Sequence, residues 1–204
     1  MDWETRTMLI LTQLAIILTA YLLGCIAVGY YLVRWRTGQD LHDVGSGATG
    51  GRNTGRVLGK SGAIITGIGD VLKGVIAMAL ALWFNSEAWT LGLVMVAVLA
   101  GHVWPLQLKF KGGKGLSAAF GAVLMYDYHI ALLTALAAGV FSLISRKGKR
   151  RITPGFMLGV ASAPLIAFFL GERWEIIAGL VACVVIILFA HRDNIMEALK
   201  PKTN

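Results

Sequence analysis

Long apolar runs, separated by short polar segments rich in glycine and basic residues, make up most of the chain after residue 8. Lipid offers no partner for exposed backbone groups, so a spanning segment must be a helix or part of a closed barrel. The predicted helices cover residues 8–33, 61–84, 88–103, 115–127, 129–145, 155–171 and 174–190. The pattern therefore predicts an all-α integral membrane protein, with seven transmembrane helices in one bundle and a single polytopic domain over residues 1–204.

The fourth run, 115–127, is shorter than the others. A full crossing of about 30 Å needs roughly 20 helical residues. We therefore expect a short fourth helix whose cytoplasmic end lies below the membrane surface. Non-helical backbone at that depth is tolerated only where it lines a cavity, so the loop before this helix is expected to line one.

The basic residues are distributed unequally between the two sets of connections. Most of them fall in one set: Arg34, Arg36, Arg52, Arg56, Lys60, Lys109, Lys111, Lys114, Arg146, Lys147, Lys149, Arg150, Arg151, Arg192, Lys200 and Lys202. The other set contains only Arg6 and Arg173. Because cytoplasmic loops retain positive charge, the distribution predicts an external N-terminus and a cytoplasmic C-terminus.

The composition supports a lipid environment for most of the chain. Apolar residues make up 56% of it and charged residues 15%, whereas a soluble globular chain carries roughly 25% charged residues. The net charge of +8 lies in short segments between apolar runs, unlike the extended basic surfaces with stacking aromatic residues that bind single-stranded nucleic acid. We therefore expect no nucleic-acid partner, but anionic membrane lipids or phosphate-bearing ligands.

The sequence predicts no required metal and no cofactor. The four histidines are scattered and the carboxylates are isolated, so no pair has the spacing of metal ligands. Cys25 and Cys183 lie inside apolar runs, where a thiol behaves as a small hydrophobe. We assign no chemistry to either cysteine.

The first polar connection reads Gly-Ser-Gly-Ala-Thr-Gly-Gly-Arg-Asn-Thr-Gly-Arg over residues 45–56, ahead of the second run. Glycines let backbone amides turn toward an anion, and arginine offers a planar fork to its oxygens. The Gly-x-Gly-x-x-Gly pattern within it follows a transmembrane run rather than a strand, so a dinucleotide-binding fold is not indicated. The alternative is a basic turn that binds lipid headgroups.

The second polar connection runs directly into the short fourth helix and reads Lys-Phe-Lys-Gly-Gly-Lys-Gly over residues 109–115. Gly112, Gly113, Lys114 and Gly115 form a candidate phosphate cradle, because the free amides of a helix start attract anions. In the predicted orientation the second and fourth helices both direct their positive dipole ends at this side. Two anion-favouring helix ends would then share one face.

The third polar segment follows the last run and contains His191 and Asn194. These residues are three apart and can share a helix face. The histidine could accept a proton and the asparagine could donate to an oxyanion, although a boundary histidine is more often only an interfacial residue. Elsewhere, Asp70 and Lys73 are expected to form an ion pair supporting the first loop, and His102 to have a structural role.

These three segments, in this order on one side of a seven-span bundle, resemble the bacterial acyl-phosphate:glycerol-3-phosphate acyltransferases, the PlsY family. The likeness covers nearly the whole chain. Its residues are Gly45, Ser46, Gly47, Asn53 and Arg56, then Gly101, His102, Pro105 and Phe110 to Gly115, then His191 to Ile195. The second motif is the most specific of the three.

The resemblance implies transfer of a fatty acyl group from acyl phosphate to the 1-hydroxyl of glycerol 3-phosphate, giving lysophosphatidic acid for phospholipid synthesis. It implies a multi-pass protein of the bacterial cell membrane with a cytoplasmic active site. The implied catalytic residues are Ser46, His191 and Asn194. The implied substrate-binding residues are Ser46, Gly47, Asn53, Arg56, Gly112, Gly113, Lys114 and Gly115, with Arg52 as an added cation.

The chain departs from the usual family pattern, Gly-Ser-Gly-Asn-x-Gly-Ala-Thr-Asn, at three positions. Ala48 replaces the first asparagine, and Gly51 and Arg52 replace Ala-Thr. The segment at 151–156 offers Thr153 rather than the family's serine-bearing pattern. The alternatives are a diverged paralogue with another phosphorylated acceptor, or a non-enzymatic membrane anion carrier or lipid-binding protein. A CDP-alcohol phosphotransferase is disfavoured, because it needs more intramembrane carboxylates for a metal site.

Overall fold

A computed structural model describes residues 2–147 and 152–199, and within them the chain forms helices and turns without a β-strand. The helices are α1 (Trp3–Cys25), α2 (Val28–Thr37), α3 (Gly51–Trp83), α4 (Ala88–Val103), α5 (Leu116–Tyr126), α6 (Tyr128–Lys147), α7 (Ile152–Ala161), α8 (Ala163–Phe169), α9 (Trp174–Ala190) and α10 (Arg192–Leu199). Two short 3-10 turns, Leu41–Asp43 and Leu106–Leu108, lie in the polar connections. The all-α prediction is confirmed.

Four helical segments are long and apolar enough to cross a bilayer: Trp3–Thr37, Gly51–Trp83, Ala88–Leu108 and Tyr128–Ser145. A fifth is obtained if α9 and α10, which meet at a bend of 62°, are taken together. The remaining two predicted runs form shorter apolar helices, Leu116–Tyr126 and Pro154–Phe169. Exposed Leu, Ile and Phe side chains cover the outer surface of the bundle, as expected of a protein solvated by lipid tails.

The first predicted run is not one helix, because the chain breaks at Ile26 between α1 and α2. The break frees backbone carbonyls that a continuous helix would have used. Lys73 of α3 donates to the carbonyls of Gly24 and Ile26, at 3.0 Å each. Gln107 donates to the carbonyl of Cys25. Side chains from two other segments therefore satisfy the break.

The ion pair predicted between Asp70 and Lys73 is present, with 3.0 Å between the carboxylate and the ammonium. Both side chains are almost fully buried. The expectation that the pair supports the first glycine-rich loop is wrong, because Lys73 donates its other hydrogen bonds to backbone carbonyls at the break between α1 and α2. A buried ammonium needs such partners because it has lost its water.

Lys73→Met is expected to lower the free energy of unfolding by about 3–5 kcal/mol, because it leaves the Asp70 carboxylate buried without its counter-ion. The midpoint of thermal unfolding in detergent should fall by roughly 10 °C. Lys60→Met, at an exposed position on the same helix, is the control and should leave the midpoint near that of the wild type. The double variant Asp70→Asn, Lys73→Met should recover part of the lost stability, because the buried carboxylate is then absent. Equal unfolding midpoints for Lys73→Met and Lys60→Met would contradict this account.

The helix predicted to begin at residue 61 begins ten residues earlier, at Gly51. The helical conformation is interrupted at Gly59, whose φ of 69° is readily available to glycine. Arg52, Asn53 and Arg56 therefore lie on a helical segment rather than in a loop, which corrects the predicted boundary. Their side chains project from the N-terminal end of α3.

Close helix contacts through glycine bring the elements of the site together. A Cβ atom on Gly74 of α3 would collide with the Ala118 carbonyl of α5, and one on Gly121 of α5 would collide with the Val71 carbonyl of α3. Small residues of this kind allow backbones to approach closely in membrane helices, where lipid provides no hydrophobic force between them. The short helix α5 is thereby held against α3, which carries the arginines.

The sixth predicted run, 155–171, divides at Ser162 into α7 and α8. The basic connection before it lies mostly outside the described residues, as do Lys200 and Lys202 and the side chain of Thr153. Helix α4 occupies the centre of the bundle, with Met95 and Leu99 fully buried. The polar loops at residues 38–50 and 104–115 meet beside it.

Candidate active site

A cavity of about 770 Å³ lies where the two polar loops meet the junction of α9 and α10. Its lining brings together residues far apart in sequence: Ser46, Ala48, Gly50, Gly51, Arg52, Asn53, Arg56, Asp70, His102, Lys114, Gly115, Leu116, Ser117, Phe156, Met157, His191 and Asn194. Eight of the predicted site residues are among them. The structure thus places all three predicted segments around one space.

The first loop is organised by Asn53, whose side chain is buried. The amide nitrogen donates to the carbonyls of Leu41 and Val44, at 3.2 and 2.8 Å. The amide oxygen accepts from the Ser46 backbone at 3.2 Å and from the Arg56 guanidinium at 3.1 Å. Asn53 was predicted to bind substrate, but its hydrogen bonds are directed at the protein and fix the positions of Ser46 and Arg56.

The second loop is held against both the first loop and α4. The Gly112 and Gly113 amides donate to the carbonyls of Val103 and His102, each at 3.0 Å. The Thr49 amide donates to the Gly112 carbonyl at 3.3 Å. A Cβ atom on Gly113 would collide with the His102 ring. The glycines therefore allow close packing against α4 and contact between the two loops, in addition to any role in binding a ligand.

Gly47, Gly112 and Gly113 line a neighbouring cavity of about 610 Å³ rather than the main one. Lys114 and Asn194 belong to the lining of both. The Lys114 ammonium donates to the Asn194 side-chain oxygen. This contact lies between the two cavities and joins the second predicted segment to the third.

Lys114 is placed at the start of α5 by Gly115, whose φ of 82° suits the helix cap. Burial and then the nearby guanidinium of Arg52 lower the pKa of Lys114, with Arg56 adding to the effect and Asp193 opposing it. A bound dianion would relieve this repulsion. The geometry and charge of Lys114 both suit a phosphate ligand.

His191 is nearly buried and lies at the junction of α9 and α10. Its Nδ1 is 2.8 Å from the Ile187 carbonyl. A carbonyl can only accept, so Nδ1 carries the proton and, in the neutral ring, Nε2 is left as an acceptor. Asn194 accepts from Lys114 through its oxygen, so its side-chain nitrogen is the group available to donate.

Sequence reasoning missed Asp70 and Ser117 as lining residues of the main cavity. An Asp70 carboxylate oxygen lies 3.4 Å from His102 Nδ1. This contact joins α3 to α4 at the cavity, which both residues line. The structural role predicted for His102 agrees with this contact. Among the described residues no group of three His, Cys, Asp or Glu side chains is placed to hold a metal ion.

An apolar groove of about 290 Å³ adjoins the main cavity between α5, α6 and α9. It shares Leu116, Ser117 and Phe156 with the cavity, and its other lining residues are mostly alanine, valine and leucine. The cationic space thus continues into an apolar one. An amphiphile with an anionic head and an aliphatic tail matches this pairing.

Residues 14–201 match the protein family described as "Glycerol-3-phosphate acyltransferase". The chain is 45% identical to glycerol-3-phosphate acyltransferase 1 of Desulfitobacterium hafniense (strain Y51), over 92% of this chain and 91% of that protein. It is 36% identical to the glycerol-3-phosphate acyltransferase of Shewanella sediminis (strain HAW-EB3), over 92% of this chain and 90% of the relative.

Two solved structures share the fold. A crystal structure of PlsY (YgiH), an integral membrane glycerol 3-phosphate acyltransferase in its glycerol 3-phosphate form, superposes with a TM-score of 0.82 at 32% identity, covering 92% of each chain. Its lysophosphatidic acid form gives a TM-score of 0.79 at 29% identity, again over 92% of each chain. The resemblance inferred from the three motifs is confirmed, and this integral membrane protein belongs to the glycerol-3-phosphate acyltransferase family, PlsY.

Proposed function

We propose that this protein transfers a fatty acyl group from acyl phosphate to the 1-hydroxyl of glycerol 3-phosphate, giving lysophosphatidic acid and inorganic phosphate. The observation that carries the proposal is the convergence of Arg56, Lys114, His191 and Asn194 around one cavity that continues into an apolar groove. Relatives with the same family description, and the substrate and product forms of PlsY, support it.

The groove is proposed to hold the acyl chain. Its small side chains, such as Ala131, Ala135 and Ala138, leave room for a flexible aliphatic chain. Burial of each methylene is worth roughly 0.8 kcal/mol, so a long chain can anchor the donor there. The carbonyl would then lie where cavity and groove meet, beside Leu116 and Ser117.

The cations of the main cavity are proposed to hold the phosphate groups. Arg56, positioned by Asn53, can present its guanidinium to phosphate oxygens, while Ser46 offers a hydroxyl. Lys114 adds a half-buried ammonium at the start of α5, where free helix amides also favour an anion. The nearby glycines of the first loop leave space for a ligand close to the backbone.

In the proposed transfer, the 1-hydroxyl oxygen attacks the acyl carbonyl carbon and a new ester bond forms. The bond between that carbon and the phosphate oxygen breaks, and inorganic phosphate leaves. The hydroxyl proton passes to His191 Nε2 or to the phosphate of the donor. Asn194 donates to the developing oxyanion. No covalent acyl-enzyme is needed, because an activated donor mainly requires orientation and charge stabilisation.

We further propose one polytopic domain with seven spans, an external N-terminus, and a site facing the cytoplasm of a bacterial cell membrane. The unequal distribution of Lys and Arg supports this orientation. The membrane lipids are then both the solvent of the protein and the destination of its product. The orientation matches the need of the site for a water-soluble acceptor from the cytoplasm.

The function is tested by incubating the purified protein in lipid vesicles with glycerol 3-phosphate and either acyl phosphate or acyl-CoA, without added metal. Lysophosphatidic acid and an equal amount of inorganic phosphate are expected from acyl phosphate alone. Product from acyl-CoA alone would overturn the proposed donor. Absence of product from both donors, together with transfer of phosphate anions across the vesicle, would instead favour a carrier.

A further inference from the structure

Arg52 is an unassigned cation of the main cavity. It is exposed, lines the cavity, and makes no hydrogen bond or ion pair with the residues that the structure describes. Arg56, one helical turn later, is instead tied to Asn53 at 3.1 Å. Residues four apart on a helix project from the same face. Arg52 is thus a free guanidinium beside a fixed one.

The position of Arg52 is unfavourable in the empty protein for two reasons. It lies in the first turn of α3, where the helix dipole repels a cation, and no acidic residue lies in that turn. It also shares the cavity with two like charges, Arg56 on the same helix and Lys114 at the start of α5. A side chain that opposes its surroundings without local compensation commonly serves a ligand, and here the ligand must be an anion.

The charge of the two proposed substrates exceeds what Arg56 and Lys114 can offset. Each phosphate monoester carries roughly −1.5 to −2 near pH 7, so two bound together bring roughly −3 to −4. Among the described carboxylates, Asp70 alone lines the cavity, and it is paired with Lys73. A third cation therefore brings the loaded cavity much closer to neutrality.

The arrangement of the cations separates two phosphate positions. Arg56 lies with Asn53 and Ser46 at the first loop. Lys114 lies at the start of α5, two residues before Leu116, which lines both the cavity and the apolar groove. Arg56 is held at the first loop by its contact with Asn53, whereas Arg52 has no such contact within the described part of the chain and lines the same cavity as Lys114 and Leu116. Arg52 can therefore turn toward the end of the cavity near the groove.

We propose that Arg52 and Lys114 form a second phosphate subsite that takes the phosphate of the acyl donor, while Arg56 serves the acceptor. This inference rests on the proposed function and assigns a donor-specificity role to Arg52. A donor whose acyl chain occupies the groove must place its phosphate near the mouth of the groove. Arg52 then offers two parallel hydrogen bonds to that phosphate and to the inorganic phosphate left after transfer.

The test compares Arg52→Ala with the wild type in lipid vesicles, varying each substrate while the other is saturating. The KM for acyl phosphate should rise roughly 10-fold or more, as expected for loss of a charge-assisted hydrogen bond. The KM for glycerol 3-phosphate should change less than about 2-fold, because the proposal assigns the acceptor phosphate to Arg56, which this variant retains. Competitive inhibition by inorganic phosphate against the donor should weaken in parallel, and Arg52→Lys should recover part of the loss.

Arg36→Ala is the matched control, because Arg36 is an exposed arginine of α2 outside the cavity lining. It should change neither KM. A rise confined to the KM for glycerol 3-phosphate would overturn the proposal by assigning Arg52 to the acceptor, and unchanged constants for both substrates would overturn it outright.

A second measurement does not depend on turnover. Inorganic phosphate should raise the midpoint of thermal unfolding of the wild type more than that of Arg52→Ala, because at equal ligand concentration a protein that binds the ligand more tightly is stabilised more. Without phosphate, Arg52→Ala should unfold at the same temperature as the wild type or higher, since a repulsive charge has been removed. Equal stabilisation of the two proteins by phosphate would contradict the subsite even if no acyl donor were active.

Discussion

Lys114→Ala is expected to lower kcat/KM for acyl transfer by roughly 10³-fold, the scale of losing a group that stabilises developing charge. The ammonium is half-buried at the start of α5, lines both cavities and holds the Asn194 side chain. Its removal would take away a group proposed to bind phosphate, and would also free Asn194 to rotate away from the position proposed for the oxyanion. Initial rates at varied donor and acceptor concentrations measure the effect.

Lys109→Ala provides the matched control for Lys114→Ala. It removes a lysine from the same loop, but at an exposed position that lines neither cavity. Its rate should stay within about 2-fold of the wild type, in line with a surface substitution. Lys114→Arg should retain more activity than Lys114→Ala because it keeps the charge. Equal rates for Lys114→Ala and Lys109→Ala would show that Lys114 has no role in acyl transfer.

His191→Ala is expected to lower kcat by roughly 10²- to 10⁴-fold, the usual contribution of a positioned general base. The hydrogen bond from Nδ1 to the Ile187 carbonyl leaves Nε2 as the proton acceptor. The KM values of both substrates should change little, because the phosphates are held by cations. A split of this kind separates a proton-transfer role from a binding role.

The control for His191→Ala is His129→Ala, an exposed histidine at the start of α6 outside the cavity lining. It should transfer acyl groups at the wild-type rate. If His191→Ala retains the wild-type kcat, the donor phosphate takes the proton itself, and His191 only packs the junction between α9 and α10. A large rise in KM with unchanged kcat would place the ring among the binding groups instead.

The membrane architecture follows from local features of the sequence. Apolar runs require helices in lipid, whatever packs against them. The short run before Asp127 forms a helix of 11 residues. The three candidate segments stand out locally because basic residues and closely spaced glycines are concentrated in the short connections between the apolar runs. Their convergence on one cavity agrees with their common side in the predicted topology.

Helix interruptions were not all predictable in the same way. The residues around Ile26 are as apolar as those in the flanking helices, and the break depends on Lys73 and Gln107 reaching its carbonyls from distant segments. The division at Ser162 does have a local signal, because Pro164 lies in the first turn of α8, where proline is tolerated, and cannot continue the preceding helix. The break at Ile26 is instead satisfied by long-range partners, which periodicity does not reveal.

The fold class, the family and the three segments proposed to carry the chemistry follow from the amino-acid sequence alone, because each depends on residue type and short-range spacing. The partners and positions of their side chains depend on the tertiary structure. The fold directs the hydrogen bonds of Asn53 at the protein, pairs Lys114 with Asn194, and places Asp70 in the lining of the cavity. These outcomes depend on which helices come into contact, and close approach through glycines such as Gly74 and Gly121 fixes that geometry.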